Sequence, residues 1–143
     1  MALVLPLFAW ACQNAAPPEE SADAGPPVDS VALAAAAIGA GMFDSISWAD
    51  DNAAIERGAL VWSISCAKCH GTDGAGGGEF AKTAQWTMPS LLEGDWPLAQ
   101  DPAGLRKAIY TGTQNGMPHW GLHGLKPRDV DAVAIYIELM LRG

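Results

Sequence analysis

Two cysteines and a histidine lie within one pentapeptide, Cys66-Ala67-Lys68-Cys69-His70. Thiols three residues apart lie close together on a helical turn, and each can add to one vinyl group of a porphyrin. The imidazole of His70 then lies where it can give a neutral nitrogen to the iron. The C-x-x-C-H spacing therefore predicts one covalently attached haem c, with Cys66 and Cys69 as attachment points and His70 as an axial ligand.

Two other chemistries also use closely spaced cysteines. A zinc ribbon needs a second Cys or Cys/His pair, and the chain contains no other C-x-x-C. A thioredoxin-like redox pair needs a βαβ setting, whereas the sequence here is helical in pattern before the motif and glycine-rich after it. The motif therefore favours haem over both.

The second axial position of the iron has several candidate ligands downstream of the motif. Met117 lies in a loop with glycines on both sides and Pro118 directly after it, so its thioether can reach the iron from outside any helix. Met88 also precedes a proline and is either a ligand or a packing residue of the pocket. The pattern favours Met117, and the alternatives are Met88, His119, His123 or an open site.

The elements around the motif must bring these side chains to one place. Asp50 or Asp51 is a suitable N-cap for a helix that runs toward the motif. Apolar spacing gives that helix one face, made of Ile55, Ala59, Trp62 and Cys66. Gly58 within it predicts close packing against another element. Five glycines in residues 71–78 predict a loop, and residues 79–100 are expected to be loop with short turns.

Two further helices are predicted downstream. Asp101 and Pro102 fit an N-cap followed by proline at the first helical position, and Gly112 ends that helix. Pro127 begins the last helix, whose apolar face comprises Val130, Val133, Ala134, Ile137, Met140 and Leu141. On this pattern Met140 is a core residue. No segment shows a strand pattern, so we predict an all-α fold, with three main helices and loops around one covalent haem.

The first 48 residues differ from the rest in composition. Residues 1–12 are uncharged and mostly apolar and are similar to the end of a secretory signal, with Cys12 placed as at a lipoprotein processing site. Lipid attachment at Cys12 and an ordinary cleaved signal both remain open. Residues 13–48 are predicted to be an acidic, Pro/Ala-rich, disordered tether, in which residues 31–43 form either a short packed helix or more linker. The haem domain is expected to occupy residues 49–143.

The net charge of −8 belongs to the N-terminal part of the chain. Residues 1–56 contain eight acidic residues and no lysine or arginine, whereas residues 57–143 contain eight acidic and eight basic residues. A nucleic-acid partner is not expected, because such binding requires a basic patch. The charge also gives no ground for an acidic docking face on the haem domain.

Residues 51–142 resemble the class I cytochrome c family. The features that carry the resemblance occur in the family's order: Gly58 and Trp62, Cys66-x-x-Cys69-His70-Gly71, Pro89 and Leu91, Met117-Pro118, and Tyr136. The resemblance implies the class I cytochrome c fold, in which the first and last helices cross where Gly58 and Trp62 meet Tyr136. It also implies that Pro89 and Leu91 contact the haem on the histidine side, and that Met117 is the distal ligand.

A narrower likeness, in residues 116–121 and 129–137, is to the haem-c domain of cytochrome-cd nitrite reductases and to small respiratory carrier cytochromes. The expected function is electron transfer without catalysis, by one haem c cycling between Fe(II) and Fe(III) in a periplasmic or membrane-surface respiratory chain. Its partners would be respiratory donor and acceptor proteins. Two alternatives remain: a haem-based ligand sensor or small peroxidase with a labile sixth ligand, and an electron-relay subunit of a membrane reductase or oxidase complex.

Overall fold

The computed structural model describes residues 29–143, which form helices and turns and no β-strand. The α-helices are α1 (Ser30–Ala37), α2 (Asp51–Val61), α3 (Ala67–His70), α4 (Glu79–Thr83), α5 (Pro102–Thr111) and α6 (Pro127–Tyr136). A π-helical turn, Trp62–Cys66, joins α2 to α3, and a second one, Ile137–Leu141, extends α6. The predicted all-α fold is confirmed.

The long helices begin where their capping residues predict. The Oδ1 atom of Asp50 accepts a hydrogen bond of 2.9 Å from the backbone N–H of Ala53 at the start of α2. Asp101 accepts one of 2.8 Å from the N–H of Gly104 at the start of α5. α6 begins at Pro127 without a side-chain cap, where proline's missing N–H leaves one fewer donor to satisfy.

Helices α2 and α6 cross in close contact at Gly58. A Cβ atom on Gly58 would overlap the carbonyl oxygen of Ala132 and would lie 2.6 Å from the Cβ of Tyr136. The rings of Trp62 and Tyr136 are 6.1 Å apart at their centroids. Glycine is therefore required at this crossing for steric reasons, and the predicted meeting of Gly58 and Trp62 with Tyr136 is confirmed.

Two carboxylates in the first turns of α6 connect this helix to its neighbours. Asp129 pairs with Arg57 of α2 at 2.6 Å. Asp131 accepts a hydrogen bond of 2.7 Å from Nε of Arg106 on α5, and one of 2.7 Å from the indole N–H of Trp48. Asp129 and Asp131 are both buried, and these charge-assisted contacts satisfy them.

Helix α1 packs against α5, and Ala34 is fully buried there. Ile38, Met42 and Phe43 follow α1 and pack against the core. For residues 31–43, the structure therefore shows the packed helix and not further linker. The prediction of a disordered tether is wrong for residues 30–48. The domain boundary at residue 49 stays a prediction. The signal-like segment and the tether up to residue 28 lie outside the described residues.

The predicted apolar face of α2 is wrong in part. Trp62 and Cys66 are buried as expected, but Ile55 and Ala59 are only partly buried, and the fully buried positions are Ala54, Gly58 and Val61. The buried stripe runs through Ala54, Gly58, Val61 and Ser65, one position before the predicted one, because Gly58 is the residue that meets α6. The π-helical turn, in which the N–H of Ala67 donates to the carbonyl of Trp62, begins only after the mispredicted positions.

Two further expectations need correction. Met140 is not a core residue, since 55% of its surface is exposed, and it lies in the second π-helical turn, where the period of α6 no longer holds. Residues 79–100 are not entirely loop, because Glu79–Thr83 form α4, on which Ala81 is buried.

Substituting Gly58 with alanine should destabilise the protein. Helix propensity alone would favour alanine by about 1 kcal/mol, but overpacking at the crossing typically costs about 1–3 kcal/mol and here involves backbone. We expect the free energy of unfolding to fall by about 2 kcal/mol in urea titrations of the holoprotein. Gly94→Ala is the control, since a Cβ on Gly94 meets nothing within 4 Å. Equal stability of the two variants would refute the close crossing.

Candidate functional site

The C-x-x-C-H pentapeptide lies at the end of a continuous helical segment. α2, the π-helical turn and α3 follow one another without a break, and α3 ends at His70. Cys66 is buried at 7% exposure, and Cys69 is partly buried. Neither cysteine is in a disulfide bond, so both thiols are available for thioether formation. The predicted helical turn through the motif is therefore present.

The glycine-rich loop after the motif folds back on it. Gly71 has a φ of +81° and its N–H donates to the carbonyl of Ala67 at 2.9 Å, which ends α3. The N–H of Gly76 donates to the carbonyl of His70 at 2.8 Å, and that of Gly78 to Cys69 at 3.2 Å. The loop thus satisfies the carbonyls that the end of a helix leaves free, and it fixes the orientation of the motif.

Trp62 supports His70 from the side of the core. The two rings are 6.1 Å apart at their centroids, and the indole N–H of Trp62 donates to the carbonyl of Thr72 at 3.3 Å. Burial lowers the pKa of His70 below its ordinary value, so the imidazole is neutral at physiological pH. Its Nδ1 is buried without a hydrogen-bond partner among residues 29–143. A neutral imidazole is the form that binds a metal.

Cys66 is also held in its uncharged form. Burial, with a smaller contribution from Cys69, raises the pKa of the Cys66 thiol to about 12, although Lys68 partly opposes the shift. A thiolate, the form that binds zinc, is therefore disfavoured at this position. A thioether carries no charge, and the apolar surroundings of Cys66 accommodate it.

Two adjoining cavities of about 580 and 700 Å³ open beside the motif. Both are lined by His70, Met88 and Met117. Each lies within the roughly 300–1,000 Å³ of ordinary ligand pockets. Cys66 and Cys69 line the first cavity, and Pro89 and Leu91 line the second. The structure therefore brings all the predicted site residues to two adjoining cavities with shared lining residues.

Met117 reaches this space from the loop that follows α5. Gly112 ends the helix with a φ of +73°, and a Cβ on it would lie 2.5 Å from the carbonyl oxygen of Met117. The N–H of Thr113 donates to that same oxygen at 3.1 Å, and the Thr113 hydroxyl accepts from the N–H of Met117 at 3.3 Å. The loop is thus closed tightly on the end of α5.

Met88 belongs to the same side of the cavity as the histidine. A Cβ on Gly76 would lie 2.6 Å from the Met88 carbonyl oxygen, and Gly76 itself donates to His70. Met88 is thus anchored to the loop that follows the motif, whereas Met117 comes from an independent element.

His119 and His123 stack on each other at 4.5 Å, and neither is among the residues that line the two cavities.

Three residues that line the cavities, Thr87, Asn115 and Phe80, were not identified from the sequence. Thr87 and Asn115 line both cavities and supply polar groups there. Their signal in the sequence is weak: each lies one or two residues before a candidate methionine. Phe80 of α4 and Trp86 line the first cavity, and their rings meet edge to face at 5.5 Å. The helix that positions Phe80 was expected to be loop.

Comparison with known families identifies the type of domain. Residues 53–137 match the family described as cytochrome c oxidase, cbb3-type, subunit III. The chain belongs to this family. The predicted relation to mono-haem c-type cytochromes is confirmed, and membership implies one covalently bound haem c. The narrower likeness to the haem-c domain of cytochrome-cd nitrite reductases stays a prediction.

Three curated relatives are similar to part of the chain. The cbb3-type cytochrome c oxidase subunit FixP of Azorhizobium caulinodans is 30% identical over 90 residues, which are 63% of this chain and 28% of the relative. Subunits CcoP of Azospirillum brasilense and Cereibacter sphaeroides are 32% and 30% identical over 62% and 65% of this chain. The alignments cover 29% and 30% of those two subunits. The chain thus spans less than a third of these relatives' length.

Two further observations concern the chain as a whole. No solved structure matches it significantly. Among residues 29–143, no helix combines the length and the apolar character that crossing a membrane requires.

The residues in the cavity fit a haem c. The thiols of Cys66 and Cys69, one neutral imidazole and two thioethers border these cavities, and the buried Nδ1 of His70 has no hydrogen-bond partner among residues 29–143. Cys66, Cys69, His70 and Met117 are the residues that would hold the group. These are the donors that c-type haem uses.

A methyl group on Gly78 should disturb the site, whereas one on Gly77 should not. A Cβ on Gly78 would overlap the carbonyl of Lys68 and lie 2.6 Å from the backbone of Cys69, but a Cβ on Gly77 meets only the end of Lys82 at 3.9 Å. We expect Gly78→Ala to reduce stability by about 1–3 kcal/mol and to reduce the fraction of protein that acquires haem. Gly77→Ala should match the wild type. Normal haem loading of Gly78→Ala would contradict the contact.

Proposed function

We propose that this chain is a mono-haem electron-transfer domain, in which Cys66 and Cys69 hold haem c through thioethers and His70 and Met117 are its axial ligands. One observation carries the proposal. Six residues from separate parts of the chain line two adjoining cavities that share His70 and Met117, and each supplies the chemical group that its proposed role requires. Pro89 and Leu91 form the wall beside His70.

The protein's own residues would fix the properties of the site. Trp62 and the glycine-rich loop orient the neutral imidazole of His70. Gly112 and Thr113 hold the backbone of Met117 against the end of α5. When bound, haem supplies a one-electron Fe(II)/Fe(III) couple, and thioether ligation favours the ferrous state. A site closed on both faces needs no substrate pocket, which suits a carrier.

A ligand sensor or small peroxidase is less well supported. Either would need an open sixth position and an acid–base side chain beside it. His119 and His123 were the candidates for such a side chain, but they stack on each other and do not line the cavities. Asn115, which does line them, cannot exchange a proton in this way.

The proposed partners are respiratory donor and acceptor proteins. The relatives are, by name, subunits of cbb3-type cytochrome c oxidase, so we propose an electron relay to or within such an oxidase, with catalysis in another subunit. Phe80 and Trp86, both about half exposed at the rim of the first cavity, provide an apolar contact near the haem edge. A periplasmic or membrane-surface location and lipid attachment at Cys12 are part of the proposal.

Replacing both motif cysteines should abolish covalent attachment. We expect Cys66→Ser/Cys69→Ser to lose all haem on denaturing electrophoresis, because no thioether remains. Each single variant should keep a reduced amount through the other thioether, and Cys12→Ser should match the wild type. Haem staining of the denatured gel measures all four. Covalent haem in the double variant would refute the attachment sites.

Removing the Met117 thioether should open the sixth position. We expect Met117→Ala to lose the red-region ferric absorption band that methionine ligation gives in this family, to bind carbon monoxide rapidly when reduced, and to have a lower reduction potential. Met88→Ala should keep the band, because Met88 is assigned to the pocket wall. The reverse pattern would make Met88 the ligand, and a band unchanged in both variants would refute thioether ligation.

A further inference from the structure

The segment between α1 and α2, residues 38–48, lies against the haem domain and is called the strap below. Ile38, Met42 and Phe43 are partly buried on the core. At its far end, the indole N–H of Trp48 donates to the buried carboxylate of Asp131 at 2.7 Å. The strap is therefore fastened to the domain at both ends. The match to the family begins at residue 53 and so does not include the strap. Electron transfer by the haem does not require such a segment either.

Phe43 of the strap meets Tyr110 of α5, which in turn contacts the loop that carries Met117. The edge of the Phe43 ring faces the ring of Tyr110, with centroids 6.3 Å apart and planes at 79°. Tyr110 lies near the end of α5 and is 9% exposed. Its ring lies directly against Gly121, since a Cβ there would be 2.5 Å from Cε1 of Tyr110. The N–H of Gly121 also donates to the Tyr110 carbonyl at 3.0 Å.

Residues 112–121 are thus held at two points, with Met117 between them. At the start of the loop, the Met117 backbone lies against Gly112 and forms hydrogen bonds with Thr113. Tyr110 supports Gly121 at its end. Movement of the Tyr110 ring would remove the side-chain contact with Gly121 and leave only the backbone hydrogen bond at this second point. The Phe43 ring is the part of the strap that faces Tyr110, and its loss would leave space into which that ring can move.

We propose that Phe43 is a positioning residue for the sixth ligand: through Tyr110, the strap keeps the Met117 loop in the conformation in which methionine binds the iron. The inference rests on the proposed ligation by Met117. A thioether is a neutral and weak ligand, so the population of the bound state depends on how firmly its loop is held. The sequence before the haem domain would thereby tune the iron site.

The test uses the full-length holoprotein and the variant Phe43→Ala. We expect the red-region ferric band to weaken, the reduction potential to fall, and carbon monoxide to bind the reduced protein about tenfold faster, as the population of the detached state rises. Hydrogen exchange at the amides of Thr113 and Gly121 should also accelerate. Phe43→Tyr, which keeps the ring edge, should restore wild-type behaviour.

Two controls separate this effect from others. Leu33→Ala removes an exposed apolar side chain of α1 and should change nothing. Arg57→Ala removes the ion pair with Asp129 between α2 and α6 and lowers global stability by leaving a buried carboxylate unpaired, but Arg57 lines neither cavity, so it should leave the carbon monoxide rate unchanged. Equal rates in Phe43→Ala and either wild type or Arg57→Ala would overturn the inference. If Met117→Ala abolishes the ferric band but Phe43→Ala changes neither the band nor the carbon monoxide rate, the role of Phe43 is refuted and ligation by Met117 stands. If Met117→Ala keeps the band, ligation by Met117 is itself refuted.

Discussion

The haem site depends on the contact between α2 and α6 at Gly58. Because Gly58 has no side chain, the backbone of α6 can approach α2 closely enough for Tyr136 to meet Trp62. Trp62 in turn lies beside His70 and donates to the glycine-rich loop. The crossing of two helices thus determines where the imidazole lies, although neither residue at the contact touches the cavity. Enlarging Gly58 would move the histidine as well as loosen the core.

The two sides of the cavity come from different parts of the fold. α3, the glycine-rich loop and the Met88 segment form one side, and the end of α5 with the Met117 loop forms the other. The ion pairs of Asp129 and Asp131 lie in the first turns of α6, and neither carboxylate lines the cavities, where the charged residue is Lys68. Burial keeps both His70 and Cys66 uncharged, which matches the donors that haem c requires.

Local signals in the sequence predicted the parts of this structure that local chemistry determines. The motif spacing, the caps at Asp50 and Asp101, and the proline of the last helix each depend on neighbouring residues only. The π-helical turn at Ile137–Leu141 does not, and Met140 within it is exposed. The close contact of Gly58 with α6 does not either, and it places the buried face of α2 one position from the predicted one. The packing of the alanine-rich α1 and the approach of Asn115 to the cavity likewise depend on contacts between distant segments, so the sequence pattern could not indicate them.

The central claim is that one iron is bound by an imidazole on one face and a thioether on the other. X-ray absorption at the iron edge of the native ferric protein tests it most directly, because sulfur and nitrogen ligands scatter differently and lie at different distances from the metal. The account predicts a six-coordinate iron with nitrogen ligands and a single sulfur ligand. A coordination shell made of nitrogen alone, or a five-coordinate iron, would contradict it.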